Sequence, residues 1–472
     1  MKWLDNFIQK YSIMIIIIVT LITVVMGYYA LQIDIQAGIK DMLPEDNPVV
    51  NTYDKTIEKF GGMAFAAIML KDSNILDQAS LTKINKLSKE LKGLEGVEDV
   101  QSLTNIKNIK GTLTGITVEE FIKDIPQEDQ EIKQLRSELL KEDQYRGKIF
   151  TEDFKSTLVL AHLNSDNDPE PIVKEIKKIV NKYKGPEQVY ITGTPVMITD
   201  ATQYMKKDLM QLLPFVIGAI ILILWLSFKS IRGILLPLTT VIISVIWSVG
   251  LQAMLGKSLS LVSTILPVLL VSVGSAYAIH VVARYYEELH MGKNIAEAVS
   301  NSIKKVGIAV IMAGTTTMIG FASLFFSDLT IIKDFALGTS FGVGVALIVS
   351  LFFIPAVLLH LKKPDHLKAA EERTISTNFF QGISHMVINR RPWIITIAIV
   401  LIIASVIVLP RLKPETNYIS YFKKDSKTRI ATELVDDVFG GSQPVEVVIH
   451  GNIKDPDLLK KMKAFQNEVG QL

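Results

Sequence analysis

An α-helical transmembrane bundle carrying a large extracytoplasmic α+β domain is the fold class the sequence predicts, on three observations. Hydrophobic residues make up 49% of the 472 positions, mean hydropathy is +0.32, and the apolar residues lie in long blocks. Seven blocks have about the 20 residues that a helix needs to cross a bilayer. The third observation is repetition: a span followed by Asp46 and Phe60-Gly61-Gly62 recurs as a span followed by Asp425 and Phe439-Gly440-Gly441, every landmark moved by 379 positions. That offset is too long for a solenoid and suits two membrane-plus-soluble modules. At Leu472 the second soluble part has barely begun.

The first block, Ile13–Leu31, follows Lys2 and Lys10. It resembles the later block Trp393–Pro410, which favours an uncleaved anchor over a processed secretion signal, whose apolar core is shorter. Residues 32–208 are numerous enough for a domain with its own core. Alternation in Phe65–Leu70, Thr157–His162 and Gln188–Thr192 predicts strands, and Ile57–Phe60, Leu81–Leu91 and Pro171–Tyr183 have helical periodicity. Pro126–Tyr145 is too charged for a span and reads as a surface helical hairpin or arm. Gly193-Thr194-Pro195 reads as a turn into the next helix.

Five clustered spans follow: Leu209–Phe228, Ile231–Leu255, Leu259–Ala283, Ile303–Phe326 and Phe335–Leu359. Pro267 is expected to bend the fourth span. Gly338 and Gly342 have the small-xxx-small spacing that lets helices approach closely. Lys333, Asp334 and Asp328 sit where interface anchoring is the ordinary role. The amphipathic segment Ile295–Lys305 is expected to lie along the cytoplasmic membrane surface, a plain structural connector being the equal alternative. The resulting organisation is an anchor (1–31), an extracytoplasmic domain (32–208), helices two to six (209–360), a cytoplasmic linker (361–391), helix seven (392–410) and an incomplete second domain (411–472).

Lys229 and Arg232, then Arg284, Lys293, Lys304 and Lys305, then Lys362, Lys363, Arg390 and Arg391 occupy alternate connections. The positive-inside rule makes those connections cytoplasmic, with a cytoplasmic N-terminus in a multi-pass plasma-membrane protein. A formal net charge of +2 argues against a nucleic-acid partner. The chain has no cysteine, hence no disulfide framework and no Cys metal site. It carries neither a phosphate-binding Gly-Lys-Ser/Thr loop nor a metal motif, so an enzyme hydrolysing ATP is not expected.

Gly274-Ser275-Ala276-Tyr277-Ala278-Ile279-His280 followed by Arg284-Tyr285-Tyr286-Glu287-Glu288, and Thr315-Thr316-Thr317 with Gly320-Phe321-Ala322-Ser323-Leu324, complete the pattern. Order and motifs together resemble the resistance-nodulation-division (RND) permease superfamily, in particular its MMPL-like branch of lipid and hydrophobe exporters. The resemblance covers essentially the whole chain. It implies a truncated RND-like duplicated architecture in which 32–208 is a porter domain, with about five spans and most of a second porter domain still to come.

The resemblance also implies a proton-relay carboxylate immediately before the fourth-span tyrosine, and Ala276 stands there instead. Helical spacing puts Ser272, Ala276 and His280 on one stripe, with Arg284 a turn beyond. His280 is the single imidazole within a span's body, either a relay group or an interfacial contact one turn from a charged loop. Ser272, Ser275 and Tyr277 are candidates for cross-bundle hydrogen bonds or for holding a cation with backbone carbonyls, and helix packing is their plain alternative. Thr315, Thr316 and Thr317 form a denser polar patch, of which at least one member should face the bundle, for gating or coupling.

The expected function is secondary active export of lipid-like, amphiphilic or hydrophobic molecules, driven by a proton or sodium gradient and without a cofactor. The rival classes are a SecD/SecF-like protein-export accessory and a sterol-sensing-like receptor or scaffold. A missing C-terminal half, or another copy in a homo-oligomer, is the expected partner.

Overall fold

The computed structural model describes residues 2–472 except 36, 39–42, 45–46, 61–63, 113–114, 165–167, 186, 364–373, 413–416, 443–446, 450, 453 and 470–472. Asp46, Gly61 and Gly62 of the first repeat landmark lie outside the described residues. In chain order the helices are α1 (Lys2–Ala30), α2 (Pro48–Phe60), α3 (Gln78–Lys92), α4 (Asp129–Leu139), α5 (Pro169–Lys182), α6 (Thr194–Phe228), α7 (Ile231–Met254), α8 (Leu266–His290), α9 (Ile295–Ala322), α10 (Thr330–Ile348), α11 (Ile354–His360), α12 (Thr374–Asn389), α13 (Arg391–Val408), α14 (Lys427–Phe439) and α15 (Pro456–Val469). The strands are β1 (Phe65–Lys71), β2 (Val97–Gln101), β3 (Lys107–Thr112), β4 (Gly115–Glu120), β5 (Ser156–Leu163) and β6 (Gln188–Thr192). A π-helical turn, Val349–Phe353, joins α10 to α11. Two compact units result: Met1–Asn47 with Asp200–Tyr421, and Pro48–Thr199 with Phe422–Leu472.

Among the described residues, seven helices of the first unit are long and apolar enough to cross a membrane, and they coincide with the seven blocks read from the sequence. Their ends differ in instructive ways. Ile295–Lys305 is the opening of α9 and not a separate surface helix: Asn294 caps it by accepting the Glu297 N–H at 2.9 Å, and Ala298, Val299, Ser302 and Ile303 are buried in the bundle core. Their i, i+4 spacing continues one buried face into the span, so no bend forms. Pro267 stands in the first turn of α8, where its missing N–H breaks no helical bond; it starts the helix and does not kink it. The real break in α1 is at Tyr11, with non-helical φ −116° and ψ 21°. Before it, Leu4, Asp5 and Ile8 turn one face into the bundle.

The bundle core is built by α1, α7, α8, α9 and α10–α11. Close approach of α7 to α10 rests on Gly338, where an added Cβ would collide with Gln252 Nε2 and Leu266 Cδ1. Ser248 Oγ donates to the Gly338 carbonyl at 2.6 Å across this contact. On the other side of α7, Trp247 Nε1 donates to Thr23 Oγ1 of α1 at 2.9 Å. Lys257 and Asp334 pair at the end of the bundle where α10 begins, in keeping with Asp334 as a boundary anchor. Almost none of the apolar span of α6, and none of that of α13, is buried, a composition suited to acyl chains and not to water.

In the second unit four antiparallel strands run in the order β2-β5-β1-β6. Ile68 lies opposite Val159 on β5 and Ile191 on β6. Alternation sorts β1 into two faces. Ala66, Ile68 and Leu70 join Ile84, Leu87 and Leu91 of α3 and Val173, Ile176 and Val180 of α5 in one core. Ala67 and Met69 meet Leu434, Val435 and Val438 of α14, and Thr192 and Thr432 share a 2.5 Å hydrogen bond. The three strands expected from the sequence are present, whereas β2, β3 and β4 are additions. Pro126–Tyr145 holds one helix, α4, and not a hairpin; Leu139 and Tyr145 are buried in a second core around Phe150 and Phe154. Gly193 has φ +111°, and a Cβ there would strike the Phe65 carbonyl, so the expected turn into α6 requires glycine.

Glu90 of α3 accepts from Lys182 Nζ at 2.8 Å and Tyr183 Oη at 2.6 Å at the end of α5. These bonds hold its carboxyl below the ordinary value. A lowered folded pKa means that the clamp is in place above the unfolded carboxylate pKa and is lost as pH falls through the lower folded value. Hydrogen exchange in α3 and α5 is expected to accelerate on acidification in the wild type, and Glu90→Gln is expected to remove that component. In the bundle, Gly338→Val should lower thermal stability by about 1–3 kcal/mol through overpacking. Gly320→Ala, where nothing stands within 4 Å of the new Cβ, should leave the unfolding midpoint unchanged or raise it.

Candidate functional site

On α8 a period of 3.6 divides the signature segment into two faces. Gly274, Ser275, Tyr277, Ala278, Val281 and Val282 are buried, while Ser272, Ala276 and His280 form an exposed stripe on the outside of the bundle. The expected stripe therefore exists, and it points away from the other helices of this unit. Ser275 Oγ is engaged by the Ser272 carbonyl at 3.1 Å. Tyr277 Oη is buried and has no hydrogen-bond partner among the described residues.

The threonines occupy the neighbouring helix α9, with Thr315 and Thr317 half-buried and Thr316 exposed. Thr316 Oγ1 donates to the Met312 and Ala313 carbonyls at 2.8 and 2.9 Å, and Thr317 Oγ1 to Ala313 at 2.9 Å. Back-bonding of this kind satisfies a hydroxyl inside its own helix. No hydrogen bond joins them to the α8 candidates among the described residues.

Beyond His280, Arg284 belongs to an ion-pair knot. Its guanidinium donates to Glu287 at 2.7 Å and Glu288 at 2.6 Å. Glu288, 1% exposed, also accepts from Lys305 Nζ at 2.8 Å and Asn301 Nδ2 at 2.8 Å. A second buried carboxylate, Asp5 of α1, accepts from Ser300 Oγ, from Lys304 Nζ at 3.0 Å and from Gln9 at 2.9 Å. The first turns of α9 thus hold both α1 and α8 by charge-assisted bonds, the arrangement that makes a buried carboxylate tolerable.

Sequence reasoning missed a polar seam on α7. Thr240, Ser244, Ser248 and Gln252 are each 0% exposed, and their i, i+4 spacing in an otherwise apolar span was the available signal. Ser244 Oγ bonds the Val241 carbonyl at 2.8 Å, and Gln252 Nε2 reaches the Asp334 carbonyl at 3.2 Å. Gln252 Oε1 is unpartnered, as is Ser350 Oγ in the π-turn. Among the described residues no group of His, Cys, Asp or Glu is arranged to hold a metal ion.

The second unit contains a cleft of about 820 Å³ lined by Lys89, Lys92, Lys107, Lys123, Asp99 and His162 among others. Burial works against ionisation of Asp99, but the Lys92 ammonium at 3.1 Å and the Val100 N–H outweigh it and hold the carboxyl below its ordinary value. The same lining includes Glu120 and Asp124 and the apolar Ile106, Ile122 and Ile125, so charges of both signs stand beside apolar surface.

The MMPL family model matches residues 41–405. A protein of Methanocaldococcus jannaschii named for membrane residence is 26% identical over 366 residues, 76% of this chain and 93% of that protein. The apo-petrobactin exporter of Bacillus anthracis is 24% identical over 64% of this chain and 43% of its own length. The mycolic acid-containing lipids exporter of Mycolicibacterium smegmatis is 23% identical over 50% of this chain and 25% of its own length. The chain thus spans nearly all of the first relative and less than half of the two exporters. With the family model covering most of the residues and both halves of the α8 and α9 signatures inside the match, the chain belongs to the MMPL family.

Proposed function

We propose that this chain is one half of a secondary active exporter that uses a proton or sodium gradient to move lipid-like, amphiphilic or hydrophobic molecules. The observation that carries the reading is the position of Ser272, Ala276 and His280 on the outside of the bundle. An imidazole and a hydroxyl at membrane depth are costly against lipid and are expected to face protein or a water-filled cavity. A second bundle, supplied by a longer polypeptide or by another copy of the chain, covers that stripe and forms the translocation interface with it.

The alternate placement of lysine and arginine supports a cytoplasmic start of α1, with the second unit on the opposite side. The Glu288 and Asp5 knots then lock the cytoplasmic end of the bundle, and the charged cleft receives the polar part of the substrate. The names carried by the petrobactin and mycolic lipid relatives support an amphiphilic cargo.

Sealed proteoliposomes containing the full-length protein, loaded with fluorescent lipids and given proton and sodium gradients separately, test this reading. Outward flux with one gradient and none without is the expected result; no flux under any gradient from folded protein overturns it. His280 is the candidate proton carrier of the stripe. His280→Ala is expected to abolish proton-driven flux at unchanged thermal stability, and undiminished flux would assign His280 to packing at the membrane boundary.

A further inference from the structure

We propose that α7, α8 and the π-turn between α10 and α11 form a sodium-ion site in the layer of Thr240, Tyr277 and Ser350. The inference rests on the exporter reading and deepens it by naming a coupling ion and its ligands.

Three helices meet at a fixed point. A Cβ on Gly274 of α8 would lie 3.3 Å from Ala346 Cβ of α10 and 3.4 Å from Ser244 Oγ of α7. One helical turn further toward the C-terminal end of α8, that register brings Tyr277 and Ala278 on α8, Ser350 beyond α10 and Thr240 on α7 to one depth. All are buried: Thr240 and Ser350 at 0% and Tyr277 at 5% exposure. Among the described residues Tyr277 Oη and Ser350 Oγ have no partner, and Thr240 Oγ1 makes a long 3.5 Å contact to the Leu236 carbonyl. Buried hydroxyls in native interiors are almost always satisfied, so two unpartnered oxygens on residues at matching register positions of adjacent helices point to an occupant.

The backbone adds ligands. In the turn Val349–Phe353 the Ile354 N–H reaches back five residues to the Val349 carbonyl. A π-turn shifts the carbonyl oxygens out of the ordinary i→i+4 bonding register and is enriched at functional sites. Hydroxyls with carbonyls of irregular helix are the ligands by which membrane transporters hold sodium.

The donor set selects the ion. It is all oxygen, which suits a hard cation and not a transition metal. It contains no carboxylate, which disfavours a divalent ion; the buried carboxylates Asp5 and Glu288 are held elsewhere by Lys304, Lys305 and Arg284. The layer holds two aliphatic hydroxyls and a phenol, and neither an imidazole nor a carboxylate.

The test is thermal unfolding of the full chain in lipid nanodiscs in sodium chloride, potassium chloride and N-methylglucamine chloride at equal ionic strength, paired with direct ²²Na⁺ binding. Sodium alone is expected to raise the midpoint in a concentration-dependent way. Ser350→Ala and Tyr277→Phe should each weaken sodium affinity at least tenfold while leaving the midpoint in N-methylglucamine unchanged or higher. Absence of ²²Na⁺ binding to wild type overturns the site whether or not the variants fold. A sodium shift undiminished in the double variant overturns it equally, leaving the hydroxyls to ordered water. Sodium binding without lipid flux keeps the site and removes the exporter reading; proton-driven flux without sodium binding does the reverse.

Discussion

The close approach of α10 to α7 is the contact on which the bundle depends. Gly338 leaves no room for a side chain, and the space it vacates is taken by Gln252 and Leu266. Because the backbones are that close, Ser248 can donate directly to the Gly338 carbonyl. Lipid tails are as apolar as leucine, so tight packing and hydrogen bonds between helices carry the association that the hydrophobic effect supplies in water. The polar seam on α7 is therefore a structural cement along most of its length. It changes character at Gln252 and beside Thr240, where oxygen atoms outnumber their partners.

A second device operates at the other end of the bundle. The opening turns of α9 present Ser300, Asn301, Lys304 and Lys305 in one stretch, two residues to the Asp5 carboxylate and two to Glu288. Each carboxylate is desolvated and surrounded by donors, so removal of one partner leaves a buried charge uncompensated. The kinked beginning of α1 and the end of α8 are tied to one another through α9, without a direct bond between them.

Hydropathy made the spans legible because a bilayer demands length and apolarity and little else, so all seven blocks read from the sequence are found as helices. Strands β1, β5 and β6 were legible because they alternate or are continuously apolar. The paired strands β3 and β4, Lys107–Thr112 and Gly115–Glu120, have one and two large apolar residues, too few for a periodic signal. On α8 the stripe follows from residue spacing alone, whereas its direction depends on the packing of Gly274 against α7 and α10, a tertiary fact. The α7 seam was missed for a different reason: isolated serines and threonines in a span read as packing groups one at a time, and their common phase becomes evident only when the four are aligned. Asp5 and Glu288 carry no local sign of burial in the sequence, since burial of a carboxylate is decided by neighbours distant in sequence: Ser300 and Lys304 for Asp5, Lys305 for Glu288.

The two-sided burial of β1 has a bearing on how the molecule is made. One face of the sheet closes with α3 and α5, which are synthesised within a few tens of residues of it. The other face waits for α14: Thr192 and its hydrogen-bond partner Thr432 are 240 positions apart. At a synthesis rate of about 5–20 residues per second, the ribosome must elongate for on the order of ten seconds or more, inserting six further spans, before Ala67, Met69 and Leu158 are covered. Throughout that interval the sheet face formed by Ala67, Met69 and Leu158 lacks the helix that covers it, so the fold of this unit becomes final only once α14 has been made.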